Sequence, residues 1–76
     1  MNQARRNRIK AIAIKLESLK EELEGIKDEE QDAFDNLPDS LQDGERGVKM
    51  QESIDQLEAG MDLLDDALSA LEDAGK

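Results

Sequence analysis

The chain contains no cysteine, histidine, tryptophan or tyrosine, and only one phenylalanine and one proline among its 76 residues. Each absence removes a class of chemistry. Without cysteine there is no disulfide framework, redox centre or thiolate metal site, and without histidine there is no imidazole base. Phe34 is the sole aromatic residue, so neither a base-stacking platform for single-stranded nucleic acid nor an aromatic-centred hot spot can form. No stretch approaches the roughly 20 apolar residues of a membrane span. The apolar run after the basic N-terminus is broken by Lys10 and Lys15 and meets Glu17, unlike a secretory signal. The expected compartment is the cytoplasm.

The remaining nucleophiles are Ser18, Ser40, Ser53 and Ser69, none with an activating histidine, and the many carboxylates single out no catalytic pair. No enzyme activity is expected. Asp35, Asp39 and Asp43 recur every fourth residue, but without the glycine and distal glutamate of an EF-hand loop. Neither metal nor cofactor is expected.

What the chain does have is charge and periodicity. Twenty acidic residues against ten basic ones give a net charge of -10. The distribution is uneven, because Arg5, Arg6, Arg8, Lys10 and Lys15 fall within the first 15 residues with no acid among them. An acidic body repels phosphodiester backbones, which argues against general nucleic-acid binding.

Ile9, Ile12, Leu16, Leu19, Leu23 and Ile26 follow one another at alternating steps of three and four, and Met50, Ile54, Leu57, Met61, Leu64, Leu68 and Leu71 repeat the pattern. Both are coiled-coil seams. The spacing predicts one helix over about residues 3–34 and a second over 45–74, joined by a connection at 35–44 that holds Pro38 and Gly44. Asn36 and Ser40 are suited to cap a short helical turn there, and Gly75 to end the second helix. The fold class is therefore all-α. Residues 1–76 form a single antiparallel helical hairpin, coiled-coil-like, which assembles into a homo-oligomeric helical bundle.

Oligomerisation is expected because Ile14, Phe34, Leu41, Val48 and Leu63 lie off both seams, more apolar surface than two helices can shield. A dimer forming a four-helix bundle is the simplest closed solution, although helices exchanged between chains satisfy the same heptads. Met50 and Met61 suit flexible core filling, and Ala59, Gly60, Ala67, Ala70 and Ala74 allow close approach to a neighbour. An antiparallel hairpin also sets the N-terminal arginines near Asp65, Asp66, Glu72 and Asp73, a pairing that needs no ligand.

Arg46 resists so simple an account. It falls in the first turn of the second helix, where the dipole disfavours a cation. Two readings are open: a salt bridge to Asp39, Asp43, Glu45 or the end of the first helix, or an anion contact aided by helix N-terminal amides. Gly47, at a seam position, suits either close packing or room for a ligand.

The stretch Asn36-Leu37-Pro38-Asp39-Ser40-Leu41-Gln42, followed by Glu45-Arg46-Gly47, Met50 and Ile54-Asp55-Gln56-Leu57-Glu58-Ala59, resembles short acidic two-helix proteins encoded by phages and prophages. The resemblance covers roughly residues 9–74. In that group the residue before Glu45 is often serine, a better helix cap than Gly44. The resemblance implies a phage setting and hence the host cytoplasm. The format is similar to that of oligomeric helical phage sponges, which bind nucleotide-derived immune signals at subunit interfaces and counter host defence. On that likeness the expected function is non-enzymatic sequestration of such a signal. The expected ligand contacts are Arg46, with Gly47, Ser40 and Asn36 beside it, and Arg5, Arg6 or Arg8 from a neighbouring chain. One alternative is an acidic inhibitor that mimics nucleic acid and binds a basic host defence protein. Another is a passive oligomerisation or scaffold module. No membrane partner is expected.

Overall fold

The computed structural model describes every residue from Met1 to Lys76 and contains three helices and no strand. Helix α1 spans Gln3–Asp35, the single turn α2 spans Asp39–Gln42 and α3 spans Glu45–Ala74. The two long helices pack antiparallel along a rod measuring 59 × 15 × 12 Å. A hairpin with a short helical turn in its connection is the architecture that the heptads and the hinge composition imply.

The helix ends follow local chemistry. Asn2 caps α1, its side-chain oxygen accepting the Arg5 amide at 2.9 Å. At the other end Asn36 terminates α1, donating its backbone N–H to the Asp32 and Phe34 carbonyls, and so does not start the next turn. Pro38 opens α2, since its fixed φ of -56° suits the entry and it has no N–H to leave unsatisfied. Ser40 lies inside α2, so neither residue expected to cap that turn does so. Gly44 precedes α3 without a side-chain cap, and Gly75 closes α3 at a φ of -86°, with no left-handed turn.

Two inter-helix ion pairs fix the register: Lys20 with Asp65, and Lys27 with Glu58 at 3.8 Å. Both imply the same alignment, in which Ile9 stands level with the end of the chain; a Cβ placed on Gly75 would lie 3.8 Å from the Ile9 Cγ2. The first two turns of α1 thus project beyond α3. Arg5, Arg6 and Arg8 therefore do not pair with Asp65, Asp66, Glu72 or Asp73, which corrects the expectation from charge distribution.

On α3 every seam residue from Met50 to Leu71 is at least half-buried, and Ile54 is the one large side chain fully buried. On α1 only alternate members of the seam turn inward. Ile9, Leu16 and Leu23 are half-buried together with Ala13, Lys20, Lys27 and Phe34, whereas Ile12, Leu19 and Ile26 remain 51%, 52% and 51% exposed. The inward stripe on α1 is rotated by one heptad position relative to the sequence pattern. Lys20 and Lys27 make this workable, because their alkyl stems cover apolar surface while their ammonium groups reach acids on α3.

Candidate functional site

The hinge is built by close backbone approach. Gly47 is buried, and a Cβ there would collide with the carbonyl of Gln42, so α2 rests directly on the first turn of α3. Of its two open readings, close packing is the one observed. The Gln42 side chain donates to the carbonyls of Phe34 and Leu37 at 3.3 Å each, tying α2 back to the end of α1. These contacts hold the start of α3 in a fixed position.

Arg46 sits on that rigid start. It is exposed and makes no ion pair, while the neighbouring Glu45 is engaged by Lys49 at 3.2 Å. The salt bridge considered for it from sequence is not formed. Arg46 lines a shallow depression with Glu45, Lys49, Met50 and Ser53. Lys49 and Ser53 were not singled out by sequence reasoning, although their spacing of three and seven from Arg46 puts them on one helix face. Asn36, Ser40 and Gly47 do not line this depression. No amide of the α3 N-terminus is capped by a side chain.

The N-terminal arginines occupy the opposite end of the rod. Arg5 and Arg8 are exposed and border a second depression with Met1, Ile9 and Ile12. Arg6 turns toward the hairpin, half-buried, its Nε shielded from solvent with no hydrogen-bond partner. One chain therefore cannot bring Arg46 and an N-terminal arginine to the same small ligand. A shared site needs a second copy.

A third feature is an apolar groove lined by Leu16, Leu19, Leu23 and Ile26 of α1 with Leu64 of α3 and Glu22 at its edge. It runs along the exposed α1 row. No three carboxylates anywhere in the chain converge as metal ligands, and no helix is long and apolar enough to cross a membrane. No family model, curated protein or solved structure matches this chain.

Proposed function

We propose that this protein acts without catalysis, as a homo-oligomer that sequesters a phosphate-bearing, nucleotide-derived signal molecule between chains, in the format of phage counter-defence sponges. One observation supports the reading above the others. Every ion pair in the chain is made by a lysine, namely Lys20, Lys27, Lys49 and Lys76, and none by the arginines Arg5, Arg6, Arg8 and Arg46. Arg5, Arg6 and Arg8 project beyond the acids of α3, and Arg46 stays unpaired although Asp39, Asp43 and Glu45 lie close to it in sequence. Guanidinium groups held apart from carboxylates keep their planar donors free for phosphate. Arg46 adds the uncapped amides of α3, which favour an anion at the same point.

The test is native mass spectrometry of the protein with cyclic di- and trinucleotides. The reading expects an assembly that gains an integral number of ligand masses, and an Arg46→Ala variant that assembles but gains none. Removing a cation from the first turn of α3 relieves an adverse dipole contact worth about 0.3–1 kcal/mol, so lost binding would not reflect unfolding. Retention of ligand by Arg46→Ala at unchanged affinity would remove that residue from the site.

A second reading draws on a different observation. All acidic side chains except Glu30 are exposed, on a rod 59 Å long, a distribution suited to an inhibitor that occupies a basic nucleic-acid groove of a defence protein. Its mark would be salt-sensitive binding to a basic protein, with no small-molecule ligand.

A further inference from the structure

The hairpin leaves an unpartnered face on α1 whose pattern specifies its own occupant. With Ile9 as heptad position a, the exposed row Ile12, Leu19 and Ile26 takes position d, and the flanking g positions are Arg8, Lys15, Glu22 and Glu29. All four flanking residues are exposed, and none joins an ion pair within the chain. Their signs run plus, plus, minus, minus along the helix. Such a flank is complementary to itself only when reversed.

We propose that α1 pairs with α1 of a second copy in antiparallel orientation, about a twofold axis near Glu17 and Ser18. In that register Arg8 faces Glu29 of the other copy and Lys15 faces Glu22. The apolar layers then match Ile9 with Ile26, Ile12 with Leu23 and Leu16 with Leu19. Antiparallel coiled coils pair a with d and g with g in this way. Sliding by one heptad in either direction sets Lys15 against its own copy or Glu22 against its own. The charge pattern therefore excludes the nearest alternatives.

The surface area agrees. The chain exposes 5624 Å², about 1,000 Å² more than the roughly 4,700 Å² of a compact monomer of 8.5 kDa. A standard interface buries roughly 800 Å² per partner, so one such contact accounts for most of the excess. The register set by Lys20–Asp65 and Lys27–Glu58 would also carry the C-terminal halves of the two α3 helices to the same level, with the twofold axis passing near Ala67 and Leu68.

This interface stands without the ligand reading, and it has a consequence for that reading. It runs α1 of one copy toward the hinge of the other, leaving Arg5 about 14 Å along the axis from Arg46 of its partner at 1.5 Å per residue. The two arginine groups, at opposite ends of one chain, then share an end of the dimer.

The experiment uses ligand-free protein, so its outcome is separate from that of the nucleotide titration. Sedimentation equilibrium should give a dimer or a multiple of dimers. Lys15→Glu and Glu22→Lys should each weaken association about tenfold, while the double variant, or a mixture of the two single variants, should recover it. Circular dichroism on each variant checks that the hairpin is intact. Spin labels on Ser18→Cys and Asp32→Cys, both away from the interface, then report orientation. Antiparallel pairing predicts a short distance at position 18 and about 40 Å at position 32. A monomer at all concentrations, failure of the double variant and the mixture to recover, or equally short distances at both labels would overturn the proposal.

Discussion

Glycines show most plainly how much a single residue depends on its surroundings. Gly25 and Gly47 are both helical, yet a Cβ on Gly25 meets nothing within 4 Å whereas one on Gly47 collides with the Gln42 carbonyl. Gly25→Ala should raise stability by about 0.5–1 kcal/mol through helix propensity, and Gly47→Ala should lower it by about 1–3 kcal/mol by pushing α2 off α3. Chemical denaturation of the two variants checks the opposite signs. Lys20 offers a second measurement. Its hydrogen bond to Asp65, assisted by the charges of Asp65, Glu17 and Glu24 against the opposing effect of burial, raises its pKa above the ordinary 10.5. A raised folded-state pKa contributes stability that is whole below 10.5 and is lost as pH climbs through the folded value. Thermal melts between about pH 9 and 12 should show a smaller alkaline loss in Lys20→Met than in the parent. The role of Gly47 was half legible in sequence, since its seam position implied a close approach but not which backbone approaches.

At the scale of elements, the hinge carries the hairpin's geometry. Gln42 donates to two carbonyls at the end of α1, so Gln42→Ala should cost about 1–2 kcal/mol and speed hydrogen exchange in 35–44 before the helices themselves open. The pattern of α3 was readable, because each of its seam residues from Met50 to Leu71 is buried or half-buried within the chain. That of α1 was readable only in part. A heptad stripe states which residues avoid water, not which neighbour covers them, and Ile12, Leu19 and Ile26 satisfy the stripe while facing away from α3. The rotation that exposes them depends on Lys20 and Lys27, which read as polar but lie against α3. The capping roles of Asn36 and Ser40 were misplaced for a related reason. Pro38 needs no donor satisfied, so α2 starts without a polar cap and Asn36 is left to end α1. The helix ends also run against their dipoles. The first turn of α1 has no acid, and the last turns of α1 and α3 have no base. Such placement weakens each helix locally, so the N-terminal arginines are not there to stabilise α1.

At the scale of the molecule, one large side chain is fully buried in 76 residues, a core of the size that generally needs a metal, a disulfide or a partner chain beside it. The melting temperature should therefore rise with protein concentration, as it does when folding and association are linked. A concentration-independent melt would mean that the hairpin holds alone. The candidate ligand site was legible as a set of residue types but not as a place. Arg46 and the N-terminal arginines stand at opposite ends of the rod, and only a second chain can join them. The measurement that bears most directly on the account is native mass spectrometry of the protein with and without cyclic di- and trinucleotides. The account predicts an even-numbered assembly that gains an integral number of ligand masses. A monomer, or an assembly that gains nothing, would contradict it.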